Sequence, residues 1–185
     1  KNEKYKNLGQ VILSLGLLYL GMSIMSGSIR PLQDEPALKN FLYSLGQFPI
    51  SGLLAGALLT AMFNSSTALM GLVLSLGIND LITLQAAIAV ILGANIGSCV
   101  TGLMATFGSS LSAKRLSLTQ IVINIVGALL FFPFITNFAG LISMTSVDLP
   151  RQIATADSVF NVIVTLIMLP TVGLLASIAN KLLPG

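Results

Sequence analysis

The sequence predicts an all-α membrane protein, a helical bundle that contains a re-entrant helical hairpin and a broken transmembrane helix. Three observations lead there. Of 185 residues, 55% are hydrophobic and 8% charged, with a mean hydropathy of +0.94, the profile of a chain whose solvent is lipid. Long apolar runs recur from end to end, each near or above the roughly 20 residues that cross about 30 Å of hydrocarbon. Two of the runs are interrupted at mid-length by polar or glycine-rich stretches, which lipid cannot solvate.

The first run, Leu8 to Ile29, is long enough to span. It stops at Arg30-Pro31, where a charge and a missing backbone donor both end a membrane helix. Lys1, Lys4 and Lys6 precede it without a signal-peptide pattern, so the chain reads as a piece of something longer. The connector over 31–49 sets Asp34, Glu35 and Lys39 among Leu38, Phe41, Leu42 and Leu45. That spacing predicts a short helix over 36–46 lying on the membrane interface.

The second run, Ile50 to Leu76, carries Asn64-Ser65-Ser66-Thr67 in its middle. It either crosses once, or enters, turns at the polar quartet and leaves on the same side. Basic residues separate the two. As a hairpin over 50–76, the run puts Lys1, Lys4, Lys6, Lys114, Arg115 and Lys181 on one side and Arg30, Lys39 and Arg151 on the other, six against three. A single crossing leaves four against five, so the positive-inside rule favours the hairpin. Two limbs of about 12 residues reach about 18 Å each, which sets the tip near the bilayer midplane. Gly52 and Gly56 would let the first limb pack closely.

The third run, 81–107, meets Gly93-Ala94-Asn95-Ile96-Gly97-Ser98, followed by Thr101, and is read as a helix broken there. Its single cysteine, Cys99, reads as packing. Runs over 116–138 and 153–179 complete one transmembrane domain, 1–185. In each an asparagine precedes a proline by nine positions, Asn124 before Pro133 and Asn161 before Pro170, and the helix should kink near the proline. Each asparagine either bonds a neighbouring helix or serves the site as an accessory group. Asp157, set near the outer interface, is either a helix cap or part of an ion pathway.

A hairpin tip at the midplane ends one helix and begins another, so unpaired amides and a positive dipole end lie beside the hydroxyls of Ser65, Ser66 and Thr67. That is a cradle for an anion. The break over 93–98 would offer a second helix start, with Gly97 and Ser98 bringing backbone near the anion. Asn95, Ser98 and Thr101 add oxygens suited to a hard monovalent cation. Histidine is absent and Cys99 is the single cysteine, which leaves no transition-metal site and no disulfide in view, and no organic cofactor is expected. It also leaves Ser65 and Ser66 without a base, against a hydrolase. The nine basic residues sit at segment ends as topology signals, so no nucleic-acid partner is expected.

Asn-Ser-Ser-Thr-Ala over 64–68, Gly-Ala-Asn-Ile-Gly-Ser over 93–98 with Thr101, and Arg151-Gln152-Ile153-Ala154 leading to Phe160-Asn161 together resemble the type II sodium-dependent phosphate cotransporter family. The resemblance covers nearly the whole chain from Leu8 and is greatest to the second of that family's two inverted repeats. It implies one repeat of an inverted-repeat transporter that carries inorganic phosphate, with sodium as coupling ion and no covalent chemistry. The family's glutamine-serine-serine tip is matched by Asn64, Ser65 and Ser66, which implies sodium ligation by Asn64 and Ser65 alongside Asn95, Ser98 and Thr101. Its second stretch ends in threonine where this chain has Ser98. Implied partners are phosphate, sodium, the lipid bilayer and a second repeat or second copy, as in a homodimer. The implied place is the plasma membrane, the inner membrane of a bacterium. Two readings compete: a degenerate structural or sensory subunit of the same fold, and a carrier of another small oxyanion.

Overall fold

The computed structural model describes residues 2–184, and among them every regular element is helical. Helix α1 (Asn2–Ile29) is continuous and ends in a 3₁₀ turn at Arg30–Leu32, where Pro31 cannot donate to the preceding turn. Its apolar side chains from Leu8 to Leu20 are exposed, as suits a helix bathed in hydrocarbon. Helix α2 (Pro36–Gln47) buries Leu42 and Leu45 on one face and exposes the other, where Lys39 pairs with Asp34 at 3.6 Å. A bend of 114° separates it from α3 (Pro49–Phe63), which Pro49 opens from the first helical turn.

Two residues turn the chain between α3 and α4 (Ser66–Ile78). Asn64 adopts the left-handed conformation, φ 55° and ψ 27°, which asparagine tolerates better than most residues. Ser65 is extended, and its hydroxyl accepts from the Ala68 amide at 3.2 Å, capping α4. A short connector then leads to α5 (Leu84–Ala105), capped by Thr83 through the Ala86 amide at 3.2 Å.

Helix α3 runs alongside α5 in the same direction: Gly52 faces Ala89, Gly56 faces Val90, and Ala57 and Thr60 face Gly97. Helix α4 returns along α5 the other way. Its first residues share a cavity with Ser98 and Thr101, while Leu76 packs in one cluster with Ile82 and Ala86. A Cβ built on Gly46, just before α3, would lie 2.9 Å from Thr83 Oγ1. The hairpin therefore starts and finishes at the same end of α5.

The break expected over 93–98 is absent. Helix α5 runs unbroken from Leu84 to Ala105, so it has no second helix start and frees no carbonyls there. The glycines serve packing instead. A Cβ on Gly93 would collide with the Leu53 carbonyl, and one on Gly56 with the Val90 carbonyl. Paired glycines four apart on both helices bring the two backbones together, the usual means of helix association in lipid. The polar side chains of this stretch are satisfied within the helix: Asn95 Nδ2 donates to the Ile91 carbonyl at 3.0 Å, and Ser98 Oγ to the Asn95 carbonyl at 2.7 Å. Cys99 is buried among them, its Sγ 3.6 Å from the same carbonyl.

Helices α6 (Leu111–Phe131) and α7 (Ile135–Ser143) are joined by a 3₁₀ turn at Phe132–Phe134, and α8 (Leu149–Met168) and α9 (Val172–Leu182) by another at Leu169–Thr171. Pro133 and Pro170 interrupt both, as the sequence predicts. Phe131 meets Phe138 and Phe160 edge to face at 5.1 and 5.0 Å, locking α6, α7 and α8 together. Arg115 donates twice to the Leu183 carbonyl, at 3.0 and 2.7 Å, and ties the end of α9 to the start of α6. By length and composition four helical segments suffice to cross a membrane, 3–32, 84–105, 111–143 and 149–182, and a fifth if the bent pair α2 and α3 counts as one.

Candidate functional site

The polar quartet sits at the hairpin tip, and the tip rests between two cavities. One, of about 390 Å³, is lined by Asn64, Ser65, Ser66, Thr67, Ser98, Thr101, Gly102 and Gln120. The other, of about 340 Å³, lies between α4, α5 and α8, and its polar lining is Ser66, Thr67, Asn95, Asp157 and Asn161. Ser66 and Thr67 border both. At the start of α4 the amides of these two residues have no intrahelical acceptor. Their hydroxyls, and that of Thr101, make no hydrogen bond among the described residues. Free donors and oxygens thus converge on the tip, held by the cap at Ser65 and the left-handed Asn64.

A second layer of contacts orients the α5 side of the site. Asn124 on α6 donates from Nδ2 to the Asn95 carbonyl at 2.9 Å and to Ser98 Oγ at 3.3 Å. Asn95 donates from its side-chain amide to the Ile91 carbonyl and lines the cavity that faces α8.

A family model described as Na+/Pi-cotransporter matches residues 26–146. The chain belongs to this family. It is 33% identical over 180 residues to an uncharacterized protein of Bacillus subtilis, YqeW, covering 97% of this chain and 59% of that one. It is 24% identical over 183 residues to YjbB of Escherichia coli, provisionally named for inorganic phosphate export, covering 99% of this chain and 34% of that one. Over 101 residues it is 34% identical to the human sodium-dependent phosphate transport protein 2B, covering 52% of this chain and 15% of that one. The chain thus spans less than two thirds of the length of each of these relatives. No solved structure matches it significantly. With its long apolar helices it is a multi-pass membrane protein of a transporter family, consistent with the plasma membrane.

Of the residues singled out in the sequence, Asn64, Ser65, Ser66, Thr67, Ser98 and Thr101 are brought together at one cavity, and Asn95, Asp157 and Asn161 join Ser66 and Thr67 at the other. Gly97 is not at either lining. It is buried against Ala57 and Thr60 of α3, and its place is a packing contact. Asp157 is not a cap: α8 begins at Leu149, so the carboxylate falls in its third turn. Asn161 bonds its own helix, donating to the Asp157 carbonyl at 2.9 Å and to Asp157 Oδ1 at 3.1 Å.

Sequence reasoning missed Gln120, which faces the tip from α6. Gln120 precedes Asn124 by four, as Asp157 precedes Asn161. Extending the asparagine-proline repeat back by one turn would have found it. Thr60 was also missed. It is fully buried where α3 crosses Gly97, and its hydroxyl has no hydrogen-bond partner.

Proposed function

We propose that this chain is one repeat of a sodium-coupled secondary transporter of inorganic phosphate. The observation that carries the reading is the convergence of the hairpin tip, Asn64 to Thr67, with Ser98 and Thr101 of α5 around one polar cavity, in a chain of the Na+/Pi-cotransporter family. Phosphate is held by the Ser66 and Thr67 amides and by the hydroxyls of Ser65, Ser66 and Thr67, at a helix start whose dipole favours an anion. Sodium takes oxygens from Asn64, Ser65, Asn95, Ser98 and Thr101. The tip dips to the bilayer midplane, where discontinuous helices of secondary transporters gather their ligands. Asn64, Ser66 and Thr67 are exposed in the chain alone, so a second repeat or a second copy completes the site and moves against it during alternating access.

The test is phosphate uptake by the full-length protein in sealed vesicles. Sodium should drive it and potassium should not. Uptake indifferent to that exchange removes sodium coupling, and no uptake with no stabilisation by phosphate plus sodium favours a structural or sensory subunit, since a ligand of the native state must stabilise it.

A further inference from the structure

We infer that the end of α1 at Arg30, together with the end of α4, forms a phospholipid site selective for a zwitterionic headgroup with a primary ammonium, as in phosphatidylethanolamine. Two adjoining cavities carry the inference, one polar and one apolar, and neither is lined by the hairpin tip. The polar one, of about 850 Å³, is a groove along α1. Tyr19, Met22, Ser23, Ser26, Gly27 and Arg30 line it at helical spacing over about 16 Å of helix, and Ile78, Asn79 and Asp80 form the facing wall. Its floor near Arg30 is a fixed network: Gln33 Nε2 donates to Asn79 Oδ1 at 3.0 Å, and Asn79 Nδ2 to Ser26 Oγ at 2.9 Å and to the Ser75 carbonyl at 2.8 Å. Arg30 and Asp80, the two charges in the groove, do not pair with each other, since among the described residues the single ion pair is Lys39 with Asp34. Arg30 also lies near the end of the membrane-length segment 3–32, the depth at which headgroups sit.

The apolar cavity, of about 210 Å³, is lined by hydrophobic residues alone and lies between α2, both limbs of the hairpin and the end of α1. Water finds no partner in such a lining, and an apolar cavity of about 150 Å³ suffices to hold benzene, so an alkyl chain is the occupant that suits it. Leu32 and Phe41 belong to the lining and are half-exposed, which gives a chain in the surrounding hydrocarbon its way in. The cavities meet at the 3₁₀ turn: Ile29 and Leu32 line the apolar one, Arg30 and Gln33 the polar one, and Leu76 and Ile82 of the first flank Ile78 to Asp80 of the second. One lipid therefore reaches both. Arg30 takes its phosphate, and the Asp80 carboxylate accepts from its ammonium. One cation and one anion in a groove match a zwitterion; a headgroup of net negative charge would leave Asp80 facing it unpaired, and a trimethylated ammonium has no N–H to donate. Hydrocarbon solvates a lipid tail as well as leucine does, so the tail adds close packing in the cavity and the headgroup sets the selectivity. The site is independent of the transport reading: a chain wedged between α2 and the two limbs braces the hairpin whatever its tip binds.

The experiment uses the full-length protein, delipidated in detergent and titrated with phosphatidylethanolamine, phosphatidylcholine or phosphatidylglycerol of identical chains, with bound lipid counted by native mass spectrometry. One phosphatidylethanolamine should be held at least about tenfold more tightly than either of the others, the scale of one charge-assisted hydrogen bond. Asp80→Asn should erase the preference over phosphatidylcholine, and Arg30→Gln should weaken all three. Ala55→Leu fills the apolar cavity without touching a headgroup ligand and should weaken all three by a common factor. Equal affinities for the three lipids overturn the site, and so does a preference that survives in a folded Asp80→Asn variant. A second arm uses unaltered protein, so a variant that does not fold leaves the answer intact. Phosphatidylethanolamine with a diazirine at the end of one chain should label peptides of α2 or α4, and unlabelled phosphatidylethanolamine should compete where phosphatidylcholine does not. Label confined to the exposed face of α1 overturns the site. A disulfide joining two copies through Ser23→Cys in a Cys99→Ala background overturns it as well, because the groove then belongs to another chain.

Discussion

The Asn124 carboxamide on α6 reaches the Asn95 carbonyl on α5 at 2.9 Å. That carbonyl also accepts the Ser98 hydroxyl, and the same Asn124 amide lies 3.3 Å from Ser98 Oγ, so α6 braces both the α5 backbone at Asn95 and the Ser98 side chain. Asn124→Leu keeps the volume and deletes the bond. Polar contacts of this kind in membranes contribute roughly 0.6 kcal/mol and up to about 1.7. A small fall in thermal stability in detergent is expected, together with a larger loss of apparent sodium affinity. Equal losses in Asn124→Leu and in a lipid-facing control such as Leu129→Ala would show that the bond only braces the bundle.

Glycines that look alike in sequence should differ sharply on substitution. Gly56→Ala drives a methyl into the Val90 carbonyl, and backbone cannot step aside as a side chain can. Overpacking of this kind costs about 1–3 kcal/mol and sometimes more. Gly16→Ala on α1 meets nothing within 4 Å and should be neutral or stabilising. Yield of monodisperse protein and its melting temperature measure the contrast.

The same contrast explains what was legible in the sequence. The hairpin was readable because four consecutive polar residues at bilayer depth have few other uses, and the charge count set its two ends on one side. The kinks at Pro133 and Pro170 were readable because a missing amide acts locally. The supposed break in α5 was misread: Gly93 and Gly97 mark close approach by α3, and glycines four apart look the same whether they loosen a helix or face another one. Only the partner Gly52 and Gly56 face, four apart as well, distinguishes the cases, and that is a tertiary fact. The cap reading of Asp157 failed because α8 begins at Leu149 and Pro150, before the apolar run does.

Asn64 is held at φ 55° between two helices, so its backbone matters as much as its carboxamide. Asn64→Gly keeps the turn and removes the oxygen, whereas Asn64→Val must place a β-branched residue in the left-handed region, at a cost of about 1–2 kcal/mol. The glycine variant should melt near the parent yet bind sodium more weakly. The valine variant should lose stability as well. Matching sodium affinities in the parent and the glycine variant would leave Asn64 a turn residue alone.

The return of α4 along α5 fixes which loops share a membrane face. Gly46 sits beside Thr83, and the connector after Ile78 leads into the start of α5, while Phe107 lies just past its far end. Gln47, Asp80 and Phe107 are all exposed, so cysteines there are open to a membrane-impermeant thiol reagent, and a Cys99→Ala background removes the buried native thiol. Gln47→Cys and Asp80→Cys should be labelled from the same side of sealed vesicles, with Phe107→Cys labelled from the opposite one. A single crossing would instead separate Gln47 from Asp80, and with that the tip would become an ordinary mid-helix polar stretch, without the free amides on which phosphate binding depends.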